Sequence, residues 1–250
     1  GSEVNVAPAV DDRPFVIDFH PGIPSQMSAF VWVIGLIVLA FSIGTIAWLS
    51  RMGAGGVGTL AGAVIYFALL GAGYMLVEVC LVQKLILYLG YPALTLSVIL
   101  FSLLVGSGAG SLYSQSWPES TMLRRAALAA LTVAGAVIVF LLVLPPLLDA
   151  TLGWSIGLRA AITMLLLMPL GFAMGIPFPT GLREVGRWKG DIVPWAWGVN
   201  GVVSVLGSVT AMLGGKLWGF QTVLLGGAAV YAVAFAILAV AHARPRLLRR

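Results

Sequence analysis

Charges punctuate this chain, and between them lie apolar runs of about 20 residues or more, the length an α-helix needs to cross ~30 Å of hydrocarbon. Seven such runs are read, at 28–50, 58–82, 91–113, 126–148, 156–177, 196–218 and 221–241. None alternates with period two, so the expectation is helices, which satisfy their own backbone groups in lipid, rather than a β-barrel. Composition leads to the same place. Of 250 residues, 60% are apolar and 9% charged, against roughly 25% charged in a soluble domain. A soluble globule of this size must cover itself with water-compatible groups and has too few of them here. The expected fold class is all-α, a polytopic integral membrane bundle of seven transmembrane helices.

The organisation follows from those runs. Residues 1–26 read as an extramembrane tail, 27–243 as the helical membrane domain and 244–250 as a basic C-terminal tail. Gly1-Ser2 reads as a cloning remnant. Pro145 and Pro146 fall near the end of the fourth run, where a kink is expected. The fifth is expected to end at GIPFPTG (175–181), because neither proline can donate to a continuing helix. The following stretch, Thr180 to Asp191, reads as a solvated loop of mixed charge.

Lysines and arginines set the expected orientation. Arg51, Arg124, Arg125, Arg183, Arg187, Lys189, Arg244, Arg246, Arg249 and Arg250 fall on one side, and Arg13, Lys84, Arg159 and Lys216 on the other. Ten against four places the first group in the cytoplasm. The C-terminus is then inside and the acidic N-terminal tail outside, in what is expected to be a bacterial inner membrane. The net charge of +5 is thereby explained by topology, and no nucleic acid is expected as a partner.

Chemistry-bearing residues are few. One cysteine, Cys80, excludes an internal disulfide and any Cys-rich metal site, and His20 and His242 lie at opposite ends of the chain. No cluster has metal-ligand spacing, and no nucleophile–base pair, Walker lysine or H-E-x-x-H pattern appears. No metal, cofactor or catalytic machinery is expected in this chain. VGSGAGS (105–111) superficially resembles a phosphate loop, but it lies inside an apolar helix, where close packing accounts for its glycines.

Glu78 is the residue that stands out. It lies about 7 residues, or ~10 Å of helix rise, from the middle of its expected span. An ionised carboxylate there costs several kcal/mol unless it faces a protein interior, a ligand or a proton. Tyr74, one turn earlier, shares its face, whereas Lys84 points elsewhere. Glu78 is read either as a site for a cationic or proton-coupled ligand, or as a polar pin between helices or a residue near a water-filled vestibule. Gln83 and Lys84 follow, and Lys84 is expected to snorkel to the interface. In the sixth run Asn200, Ser204 and Ser208 recur every four residues on one face, beside a small-residue stripe of Gly207, Ala211 and Gly215. That face is read as tight helix packing with Asn200 as glue, or as a polar groove. Glu78, Tyr74, Gln83, Asn200 and Ser204 form the candidate ligand-binding set. A wet cavity shared by Glu78 and Asn200 would favour binding, and capping of each by a neighbouring helix would favour packing.

Four segments in order carry a resemblance. DDRPF (11–15), VEVCLVQKL (77–85) with LGYP (89–92), GIPFPTGLR (175–183) and WAWGVNGVVSVLGS (195–208) are similar to bacterial multi-pass membrane proteins fused to a spermidine synthase-like domain. In that family the DDRPF-like segment follows a Rossmann-like aminopropyltransferase domain, and the helices form the C-terminal membrane part. The resemblance implies a membrane domain or subunit whose catalytic half lies elsewhere, in a polyamine-related context. It implies as partner a soluble synthase-like domain or other membrane subunits; the composition adds the lipid bilayer, and a homo-oligomer is a further candidate. Function is then expected to be binding, anchoring or passing a small cationic, polyamine-like ligand. The alternatives are a scaffold subunit of a larger complex and, behind it, an autonomous transporter.

Overall fold

The computed structural model describes residues 57–188 and 192–243 together with eight positions between 33 and 48. Among the described residues every regular element is helical. In order they are α1 (Val57–Leu89), α2 (Pro92–Gln115), α3 (Glu119–Thr151), α4 (Ile156–Met174), α5 (Pro177–Trp188), α6 (Val193–Trp218) and α7 (Phe220–Ala243). Six stretches are long and apolar enough to cross a membrane, with α4 and α5 together forming one of them, Ile156–Arg187. They correspond to six of the seven expected runs. The remaining one, 28–50, lies largely outside the described residues, though its eight described positions are helical. Of the expected tails, 1–26 and 244–250 lie outside the described residues as well.

Short connections make successive spans antiparallel. Gly90 carries a φ of 77° between α1 and α2, and Gly219 a φ of 86° between α6 and α7. That left-handed backbone ends each helix at a residue without a Cβ, and Pro92 then opens α2 at a position where a missing N–H costs nothing. The alternation brings Lys84, Arg159 and Lys216 to one end of the bundle and Arg124, Arg125, Arg183 and Arg187 to the other.

Helix α1 is the hub, with α6 and α7 packed along it and α2, α4 and α5 touching it. Two seams of small residues allow the closest approaches. On α2, Gly106 and Gly110 lie against the backbone of Met168 and Phe172 on α4, while Gly171 of α4 and Gly175 just past its end lie against Leu103 and Ser107 of α2. Both sides of this seam are small, so the two backbones meet directly; of the VGSGAGS glycines Gly106 and Gly110 are packing residues, while a Cβ at Gly108 would meet nothing within 4 Å. The second seam joins the parallel helices α1 and α6, where Gly71 meets Asn200 and Ser204, and Gly207 meets Ala72 and Met75.

The outer surface settles what solvent this fold requires. Leu104, Leu142 and Leu165 are 62%, 71% and 74% exposed, within a girdle of exposed leucines and valines that water would penalise at about 25 cal/mol per Å². Exposed Tyr91, Trp154 and Trp218 ring one end and Tyr113 and Trp197 the other, the level at which amphipathic rings meet headgroups.

Three boundaries differ from the sequence expectation. Helix α3 begins at Glu119, seven residues before the expected run at 126. Helix α1 does not stop near residue 82 but runs through Gln83 and Lys84 to Leu89, because its apolar face continues through the buried Leu85, Tyr88 and Leu89. The stretch after GIPFP is not a loop but the helix α5. Gly175 and Ile176 break the helix as expected, and Pro177 then starts a new one at the position where its fixed φ suits.

Candidate functional site

The longer α1 changes the setting of Glu78. Its membrane-crossing part, Ala61–Leu89, has its midpoint at Met75, so Glu78 lies three residues or ~4.5 Å past the centre. It sits deeper than the sequence expectation placed it. Glu78 is half-buried. Among the described residues its carboxylate makes no ion pair or hydrogen bond. Tyr74 flanks it one turn earlier and is itself neighboured by Ser107 of α2 and by Tyr231 of α7. The Tyr231 ring packs directly on Gly73, so the absence of a side chain there is what admits a second tyrosine beside Tyr74. Glu78, Tyr74 and Ser107 thus form a polar spot at mid-depth on the side of α1 that faces α2.

Asn200 and Ser204 belong to a different level. The Asn200 amide donates through Nδ2 to the Phe67 carbonyl at 3.1 Å, and the Ser204 hydroxyl donates to the Asn200 carbonyl at 2.7 Å. Phe67 is eleven residues before Glu78, about 16 Å along the axis. Gly71 lies between them, its missing Cβ leaving room for Asn200 and for Ser204 Oγ, which a Cβ would approach to 2.9 Å. Gln83 donates to the Met212 sulfur at 3.2 Å, a third and separate contact along the α1–α6 interface. Of the five candidates, Tyr74 and Glu78 come together, while Asn200 and Gln83 are each engaged by the neighbouring helix and Ser204 donates to Asn200 within its own.

Sequence reasoning missed three polar features at the helix ends. Arg183 of α5 donates to the Ser114 and Trp117 carbonyls at 2.9 and 3.3 Å, closing the α2–α3 turn, and Arg187 pairs with Glu119 at 2.5 Å. At the opposite end Arg159 donates to the Tyr88 carbonyl at 2.6 Å and lies over the Tyr88 ring. Near it, the Tyr88 hydroxyl is bonded to Thr151 at 2.8 Å. Only the arginines signalled any of this, and charge counting assigned them to topology alone.

Fold, exposed apolar girdle and aromatic rings together define the class: this is an integral membrane protein, a polytopic α-helical bundle. No protein-family model, curated protein or solved structure matches this chain.

Proposed function

We propose that this chain is the membrane module of a spermidine synthase-like protein, and that it holds or passes a small cationic, polyamine-like ligand at Glu78. The observation that carries the reading is the half-buried, unpaired carboxylate close to the middle of a 29-residue apolar span. A lone carboxylate at that depth is expensive, and an ammonium group brought to it removes the cost. Tyr74 and Ser107 supply hydroxyls that can accept from further N–H donors of the same ligand. The four motif segments that run in order through the chain support the spermidine synthase-like context. The basic cluster of Arg124, Arg125, Arg183 and Arg187 supports a cytoplasmic assignment for that end, and with it the expectation of a C-terminus inside and an N-terminus outside a bacterial inner membrane.

A second reading is a scaffold whose polar groups only fix helix positions. It is favoured by Asn200 and Gln83, both satisfied by neighbouring helices. A thermal-shift titration separates the two. Spermidine should raise the Tm of the wild-type protein in detergent and leave Glu78→Gln unmoved, since only a ligand that binds the folded state stabilises it. Equal shifts in both proteins, or none in either, would leave the scaffold reading standing.

A further inference from the structure

A cavity of about 360 Å³ opens between the C-terminal ends of α1 and α3, lined by Lys84, Tyr88, Leu144, Pro145, Leu148 and Asp149 among others. It lies on a different face of α1 from Glu78 and contains none of the five candidate residues. Its walls are fixed from both sides. Tyr88 is held by Thr151 through its hydroxyl and by Arg159 through its carbonyl. Pro145 and Pro146 sit inside α3 and remove the N–H groups that the Leu141 and Leu142 carbonyls would otherwise accept from. The size suits a small molecule or a lipid headgroup, for which sites of ~300–1,000 Å³ are usual.

Two charges of opposite sign line this space. Asp149 is exposed and, among the described residues, makes no salt bridge. Lys84 contributes an ammonium with three donors, so it can donate to a ligand oxygen while bonded elsewhere. The depth is set by the flanking residues. Lys84 is five residues from the end of α1 and Asp149 two from the end of α3, or ~7 Å and ~3 Å of rise. The exposed rings of Tyr91, Trp154 and Trp218 mark the same end of the bundle as headgroup level. The leucines and Pro145 offer the rest of the wall to apolar groups.

We infer that this cavity binds a zwitterion carrying a primary ammonium next to an anion, of the phosphoethanolamine type, with the ammonium on Asp149 and the phosphate on Lys84. A phosphatidylethanolamine headgroup supplies that pair at the right depth, and its glycerol and acyl carbons meet Leu144, Pro145 and Leu148. A quaternary choline lacks N–H donors for Asp149, and a glycerol headgroup lacks the cation altogether. The site is independent of Glu78 and stands or falls separately from it.

The test is lipid retention by native mass spectrometry of the whole chain, purified in detergent and offered phosphatidylethanolamine, phosphatidylcholine and phosphatidylglycerol at equal concentration. Phosphatidylethanolamine should be retained at least about tenfold over the other two, the discrimination one charge-assisted hydrogen bond gives. Asp149→Asn should abolish its advantage over phosphatidylglycerol, and Lys84→Gln should weaken both. Because Asp149 is exposed, the Asn variant should melt as wild type does. Soluble glycerophosphoethanolamine then assigns the source: competition at millimolar concentration identifies a free zwitterion as sufficient, and lack of competition identifies the lipid. Equal retention of ethanolamine and choline lipids, or a preference unchanged in a folded Asp149→Asn, overturns the inference.

Discussion

Two alanine substitutions only two residues apart on α2 should have opposite effects. A Cβ at Gly110 would lie 3.0 Å from the Phe172 carbonyl carbon and closer still to its oxygen, whereas a Cβ at Gly108 meets nothing within 4 Å. The Gly110 methyl has no flexible side chain to push aside, because its neighbour is backbone. Helices α2 and α4 would have to part by about 1 Å, and a gap of that size forfeits a quarter to a half of each dispersion contact along the seam. Overpacking of this kind costs about 1–3 kcal/mol. In a protein of this length that corresponds to a fall in Tm of roughly 2–12 °C. Gly108→Ala adds only helix propensity, about 0.5–1 kcal/mol in the stabilising direction. Differential scanning fluorimetry of both variants in one detergent reads the difference directly, with every shared error cancelling. A Gly110→Ala protein that melts with or above Gly108→Ala would refute the backbone-to-backbone seam.

Other substitutions probe other links in the structure. Asn200→Ala removes the amide donated to the Phe67 carbonyl and should lower stability by about 0.6–1.7 kcal/mol, the range for hydrogen bonds between membrane helices; steric-trap unfolding in bicelles measures it. Arg183→Gln removes the cation that holds the Ser114 and Trp117 carbonyls and should cost about 1.5–3 kcal/mol, visible as a lower melting temperature and faster proteolysis in the α2–α3 turn. Gly90→Ala forces a side chain into a φ of 77° and should cost about 1–2 kcal/mol although nothing lies within 4 Å of the new methyl, so a thermal scan isolates backbone strain from packing.

Much of the architecture could be read from the chain because lipid makes hydrophobic length a direct record of fold. The runs beginning at 58, 91, 126, 156, 196 and 221 each correspond to a helix long and apolar enough to cross a membrane, and close packing holds for Gly106 and Gly110 of VGSGAGS but not for Gly108. The errors lie where polar residues enter a helix. The apolar run ends at 82, just before Gln83 and Lys84, but single polar residues do not stop a helix whose opposite face is still buried. Likewise the charges after Pro179 looked like a loop, while their spacing lets Leu182 and Val185 face the bundle and Arg183 reach across to α2. Pairing was the least legible property. Asn200 and Ser204 were set beside Glu78 by polarity alone, and only the parallel packing of α6 on α1 shows that Asn200 meets Phe67, about three turns away. The Lys84–Asp149 cavity depends on two helix ends that are 65 residues apart in the chain, a proximity that no local pattern encodes.

In the proposed function, one carboxylate near mid-bilayer serves as the counter-charge for an incoming cation. Equilibrium binding of radiolabelled spermidine to the protein in nanodiscs tests this most directly, with Glu78→Gln and Asp149→Asn measured alongside. Saturable binding of one ligand per chain in the wild type and in Asp149→Asn, lost in a normally melting Glu78→Gln, is the predicted result. Binding that survives in Glu78→Gln with unchanged affinity would contradict it.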